Sequence, residues 1–188
     1  MNKKYIALDL GNCCIKVDND ECLKRLEMNS LEDVPKDFLI SCEKLECGLI
    51  SNDDWLSDFR KATGGTLSDD YLIESWNSII GDEIEGMAEA IAQITSLGYK
   101  VAILSDTSES HLSHSFTKLS FTKLLSGGIY SFKVGARKPS EKMYRSFEKE
   151  FGIPLIYADD RIENIRAASK LGWNSHLFKN ANGFLDAF

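Results

Sequence analysis

Five side chains spread along this 188-residue sequence carry groups that could act together: Asp9, Ser105, Lys138, Asp159 and Asp160. A carboxylate can attack as a nucleophile, a hydroxyl can hold a developing oxyanion, and an ammonium can neutralise the charge that accumulates. Two further carboxylates beside the first repel it unless a cation intervenes. Together these groups are what metal-assisted phosphoryl transfer through an aspartyl phosphate uses, and Mg2+, with oxygen ligands, is the implied cofactor. Taken singly, each residue has an ordinary alternative. Asp9 turns a chain, Ser105 caps a strand end, Lys138 sits on a surface, and Asp159 with Asp160 opens a helix.

Only a particular architecture brings residues so distant in sequence together. Asp9 ends the apolar run of YIALDLGN, Ser105 ends the β-rich run Lys100 to Leu104, and Asp159 with Asp160 ends the buried run Leu155 to Ala158. Between them lie helical stripes: Met87 to Leu97, about 109 to 119, Ser140 to Phe151, and Ile162 to Leu171. A weaker strand over Gly128 to Phe132 and a last one over Ser175 to Phe178 complete the alternation. Strands separated by helices require a parallel sheet with helices on both faces, so every strand's carboxyl end points to one edge. The fold class expected is α/β, a Rossmann-like core formed by 1–17 and 83–188. Residues 18–82 read instead as a small all-helical module inserted after the first strand. There Ser51 and Ser68 are N-caps, and Trp55, Phe59 and Trp76 belong to apolar stripes that pack helix on helix.

The charge count, 22 basic against 29 acidic for a net of −7, disfavours binding nucleic acid or an anionic membrane, and no basic block stands out. It leaves room for one small anionic ligand held by local groups. No apolar run reaches membrane-spanning length, and the expected location is the cytoplasm. The five cysteines, Cys13, Cys14, Cys22, Cys42 and Cys47, match neither paired zinc signatures nor a disulfide framework, and are expected to be reduced and partly buried. His111 and His114 lack further ligands nearby and read as polar residues on a helix surface.

The ordered motifs DLGN, LSDT, RKP and ADDRIEN resemble those of the haloacid dehalogenase-like hydrolase superfamily, in the form that carries a type 1 helical cap. The longer stretches GDEIEGM, VAILSDTSESH, VGARKPSEKMY and ADDRIENIRAASKLGW are similar to the bacterial α-D-glucose-1-phosphate phosphatase-like group. The resemblance implies that Asp9 is the nucleophile and a Mg2+ ligand, with the Gly11 carbonyl and Asp160 as further ligands and Asp159 in support. It implies that Ser105 and the backbone N–H of Asp106 hold phosphoryl oxygens, that Lys138 neutralises charge, and that Asn164 steadies the lysine or the metal loop. His111 matches a histidine of the related group.

Two positions depart from the superfamily pattern. Gly11 stands where many relatives carry an acid for the leaving group, which predicts a slow enzyme or one suited to good leaving groups. Asp106 stands where relatives usually have asparagine. A carboxylate about 6 Å from a phosphate charge costs roughly 3 kcal/mol at an effective dielectric of about 20, so its side chain either turns away toward Ser108 and Glu109 or weakens phosphate binding. The expected activity is Mg2+-dependent hydrolysis of a small phosphorylated metabolite, a sugar phosphate being one such substrate. The competing readings are a catalytically silent phosphate-binding or interaction protein and a 2-haloacid dehalogenase.

Overall fold

The computed structural model describes residues 4–187; residues 1–3, the start of the expected first core segment, and residue 188 lie outside the described residues. In chain order, β1 (Tyr5–Leu8) and β2 (Ile15–Val17) precede four helices, α1 (Asp20–Arg25), α2 (Lys36–Glu46), α3 (Asn52–Ala62) and α4 (Asp69–Asn77). Strand β3 (Ile80–Glu83), helix α5 (Met87–Ser96), strand β4 (Lys100–Ser105) and helix α6 (Glu109–Lys118) follow. The chain continues through β5 (Leu125–Tyr130), α7 (Ser131–Val134), α8 (Glu141–Phe151) and β6 (Ile156–Asp159). It closes with α9 (Ile162–Lys170), β7 (Ser175–Leu177) and α10 (Ala181–Asp186).

Five strands form one parallel sheet in the order β5-β4-β1-β6-β7. The central strand β1 is flanked by β4 and β6, which come later in the chain, so the order reverses around it. The carboxyl end of such a strand opens into a crevice between two diverging crossovers, the usual ligand position of open α/β sheets. Alternation along the strands sorts their side chains onto two faces. Ile6, Leu8, Ile103 and Ala158 pack with Met87 and Ile91 of α5 and Phe184 of α10, whereas Ala7, Leu104 and Tyr157 pack with Tyr144 and Phe147 of α8 and Ile165 of α9. Both faces are therefore covered, which is why these strands are apolar almost throughout.

Helices α1 to α4 bury a separate apolar cluster that includes Leu23, Phe38, Trp55, Phe59, Leu72 and Trp76, with Phe38 and Phe59 stacked at 4.4 Å between centroids. The tryptophans thus serve helix packing, as their spacing indicates. Ser51 starts α3 by accepting from Asp54 N at 3.1 Å, and Ser68 starts α4 by accepting from Tyr71 N at 3.3 Å.

The segment 18–82 is not wholly helical. Helix α4 ends at Asn77, and Ile80–Glu83 instead forms β3, which pairs antiparallel with β2 through Val17↔Ile80 and Ile15↔Glu83. Ile79 and Ile80 continue the apolar stripe of α4 in sequence, so periodicity alone extends the helix through them. Gly81 favours the ribbon, since a Cβ there would lie 3.0 Å from Lys16 Cβ. Strand β5 starts three residues before its expected position at Gly128, and α10 follows an Asn180 cap without a periodic stripe to announce it. All five cysteines are free. Among the described residues no helix is long and apolar enough to cross a membrane.

Candidate active site

Asp9 directly follows β1, its N–H donating to the Ala158 carbonyl at 2.9 Å, which keeps it in register with β6. Its Oδ1 accepts from Leu10 N at 2.7 Å and lies 2.8 Å from Lys138 Nζ. The same ammonium donates to Asp159 Oδ2 at 2.7 Å and to the Leu104 carbonyl at 3.0 Å. Lys138 comes from the loop between α7 and α8, yet its side chain is only 1% exposed. One lysine is therefore held by the ends of β1, β4 and β6, the three central strands.

Asp159 is fully buried and saturated with donors. Besides Lys138, it accepts from the Tyr157 hydroxyl, from Arg161 N at 2.8 Å, and from Asn164 Nδ2 at 3.0 and 3.1 Å. Asn164 thus steadies the lysine's carboxylate partner, not the lysine itself. Asp160, the next residue, lies beside Asp9. One of its oxygens, one of Asp9 and the thiol of Cys13 all lie within 4.8 Å of one another, and Asn12 hydrogen-bonds the Asp160 carboxylate.

Charge in this cluster is unbalanced. Among the described residues, Asp9, Asp159 and Asp160 face a single buried ammonium. Burial pushes the Asp9 carboxyl up to about 8, opposed by Lys138 and reinforced by Asp159 and Asp160. Burial and Asp159 likewise raise Asp160. Burial also works against the charge of Lys138, but Asp9, Asp159 and Asp106 outweigh it and hold the amine well above the ordinary lysine range. At Asp159 burial is in turn outweighed by Lys138 and the other donors, and its carboxyl is lowered. The excess negative charge and the paired oxygens of Asp9 and Asp160 suit a hard divalent cation, which prefers carboxylate and carbonyl ligands. Cys13 is the wrong donor for such an ion, and burial keeps its thiol protonated.

The wall next to this cluster is the end of β4. Ser105 is buried, and its hydroxyl donates a long 3.4 Å bond to the Asp106 carbonyl. The Asp106 side chain turns toward the loop of Lys138, not toward Ser108 and Glu109: Oδ1 accepts from Lys138 N at 2.9 Å and Oδ2 lies 3.9 Å from Arg137 Nε. Arg137 also reaches α2, lying 3.1 Å from Glu46 and 3.4 Å from Glu43. His111, expected on a helix surface, is 6% exposed and packs beneath Trp76.

All eight residues singled out in sequence, Asp9, Gly11, Ser105, Asp106, Lys138, Asp159, Asp160 and Asn164, lie at the carboxyl ends of β1, β4 and β6 or in the segments that follow them and β5. Sequence reasoning missed Tyr157, Arg137 and Asn12. Tyr157 was legible, because a side chain two residues before Asp159 on a strand points to the same face. The contacts of Arg137 with α2 carry no local signal.

Comparison with solved structures gives the same fold. A HAD family enzyme from Bacteroides thetaiotaomicron, in complex with magnesium and inorganic phosphate, is 20% identical, with a TM-score of 0.82 over 95% of each chain. A HAD-like family hydrolase from Porphyromonas gingivalis is 18% identical, with a TM-score of 0.78 over 96% of this chain and 93% of that one. L-2-haloacid dehalogenase from Xanthobacter autotrophicus, with chloropropionic acid covalently bound, is 16% identical, with a TM-score of 0.62 over 92% of this chain and 76% of that one. The family model for haloacid dehalogenase-like hydrolases matches residues 42–178. With most of its length matched to that model, and with the fold these enzymes share, the chain belongs to the haloacid dehalogenase-like hydrolase family.

Proposed function

We propose that the protein is a Mg2+-dependent phosphomonoesterase that works through an aspartyl phosphate on Asp9. The observation that carries this reading is the Lys138 ammonium, buried and shared between Asp9 at 2.8 Å and Asp159 at 2.7 Å, with an oxygen of Asp160 within 4.8 Å of one of Asp9. A dehalogenase needs the aspartate but has no use for a second cation site. The Bacteroides enzyme, solved with magnesium and inorganic phosphate, supports the choice.

Asp9, Asp160 and the Gly11 carbonyl would hold Mg2+, which when bound supplies positive charge that lets an anionic carboxylate approach an anionic phosphoryl group. A carboxylate oxygen of Asp9 attacks phosphorus as the bond to the ester oxygen breaks, and water then hydrolyses the acyl phosphate to release inorganic phosphate. Lys138 neutralises charge on Asp9 and on the phosphoryl oxygens. Asp159, fixed by Tyr157 and Asn164, holds the ammonium in place. The Ser105 hydroxyl and the Asp106 N–H bind the remaining phosphoryl oxygens. With glycine at position 11, no side chain next to the nucleophile protonates the departing oxygen. Residues 18–82 act as the cap over this site, and the core is 1–17 with 83–188.

The test is phosphate release from a panel of phosphorylated metabolites, with Mg2+ and with chelator, for the parent and Asp9→Asn. Asn is nearly isosteric and cannot form the acyl phosphate, so metal-dependent turnover in the parent and none in the variant is expected. Turnover within tenfold of the parent overturns the mechanism. Halide release from 2-chloropropionate, with no phosphate released from any ester, assigns dehalogenase chemistry instead.

A further inference from the structure

A cavity of about 420 Å3 lies between the inserted helices and the sheet edge, within the size range of small-molecule sites. One part of its wall is Gly11, Ser105 and Asp106, so it opens onto the position proposed above for the phosphoryl group. The opposite part is almost wholly apolar, formed by Leu26, Met28, Leu31, Val34, Phe38 and Leu39. Leu31 and Leu39 are 49% and 38% exposed. Apolar side chains left open beside a phosphoryl site are surface that a ligand can remove from water.

Charged and imidazole groups of the same wall are engaged with one another or with backbone, whereas Trp76 Nε1 and Arg137 Nε are buried without a hydrogen-bond partner among the described residues. Arg137 is paired with Glu43, Glu46 and Asp106, and His111 Nε2 is bonded to the Trp76 carbonyl at 3.0 Å. A sugar entering this space would give up water at each hydroxyl with few free partners in exchange, a cost that grows with every unpaired group. The charge balance adds a second restriction. Against the single Arg137 stand Glu43, Glu46 and Asp106, so a second phosphate or a carboxylate on the organic part would meet net negative charge.

We propose that the substrate class is a phosphate monoester of a neutral, apolar alcohol or phenol, its organic part lying against Leu26, Leu31, Val34 and Leu39. The proposal rests on the phosphomonoesterase reading only for where the phosphoryl group sits. It places the specificity of the enzyme in apolar area, where the overall resemblance to sugar-phosphate phosphatases would place it in hydroxyl recognition.

Two measurements separate this proposal from the catalytic one. The first is calorimetric binding of n-alkylphosphonates, ethyl to octyl, to the parent protein with Mg2+; these keep the anionic head and cannot be hydrolysed. Affinity is expected to rise by up to about fourfold per methylene until the cavity is full, with a heat-capacity change that grows more negative with length. The second is kcat/KM for the matching alkyl phosphates, whose leaving groups are chemically alike, against glycerol phosphate and glucose 6-phosphate. The alkyl esters should exceed polyol esters of similar size. Leu39→Gln, at a partly exposed position where folding is not at stake, should flatten the dependence on chain length in both experiments. A length-dependent phosphonate affinity without turnover of any ester keeps the apolar site and sinks the catalytic reading. An affinity that is flat in chain length, or a preference for the polyol esters, overturns the proposal while leaving the phosphatase intact.

Discussion

The imidazole of His111, on α6, lies flat against the indole of Trp76, on α4, with centroids 4.3 Å apart and 12° between planes, and its Nε2–H donates to the Trp76 carbonyl at 3.0 Å. Burial lowers the pKa of this histidine to about 4, against about 6.5 in an unfolded chain. The unfolded state therefore binds a proton across that interval and the folded state does not, so stability falls as pH drops from 6.5 to 4 and is fully present above 6.5. The loss from this one group amounts to about 3 kcal/mol. Urea unfolding of the parent and of His111→Gln at several pH values measures it: the variant should lack that part of the pH slope. Equal slopes in both proteins would mean that the buried ring does not govern acid stability.

Lys138→Met should lower both phosphate affinity and turnover, because the charge it balances is present in the ground state and persists in the transition state. It also leaves Asp9 and Asp159 facing one another without their shared cation, and a buried pair broken on one side typically costs about 3–5 kcal/mol. A drop in melting temperature alongside the kinetic loss is expected. Steady-state kinetics unchanged in KM and kcat would remove Lys138 from the chemistry.

Asp160→Ala should raise the Mg2+ concentration needed for half-maximal activity, with partial recovery at high Mg2+, since a hard cation loses one of few carboxylate ligands. A Mg2+ titration that superimposes on that of the parent would show that the ion is held elsewhere.

Gly11 lies outside the left-handed region of backbone space, and a Cβ there would come 3.1 Å from Val17 Cγ2, a side chain that is 37% exposed and free to yield. Gly11→Asp should therefore fold. Supplying the absent acid should accelerate an alkyl phosphate by up to roughly 10²-fold while barely affecting p-nitrophenyl phosphate. Parent rates that do not depend on leaving-group acidity, with chemistry limiting, would show that an acid acts from another position.

The site was legible because parallel strands sum their carboxyl ends at one edge, so Asp9, Ser105 and the pair Asp159 and Asp160 needed only correct strand assignments to converge. What joins them to the inserted helices was not. His111 reads as a surface residue on α6 because the side chain that covers it, Trp76, lies 35 residues away on another element. The direction of Asp106 depends on the Lys138 backbone, 32 residues on, and the engagement of Arg137 depends on α2. β3 was hidden for the opposite reason. Ile80, with Ile79 just before the strand, extends a helical stripe that is real up to Asn77, and only the pairing with β2 decides where that stripe stops.

The short antiparallel ribbon of β2 and β3 sets Val17 opposite Ile80, so the inserted helices leave and rejoin the sheet domain at neighbouring positions. To the strand register of the sheet the whole module is equivalent to a hairpin turn. Lineages can lengthen, shorten or exchange it without shifting the register of any strand that carries Asp9, Ser105 or Asp159, and a protein engineer can graft a different one at the same two joints. If the inserted helices set substrate preference as proposed above, that preference can change while the strand ends that carry Asp9, Ser105 and Asp159 stay in place.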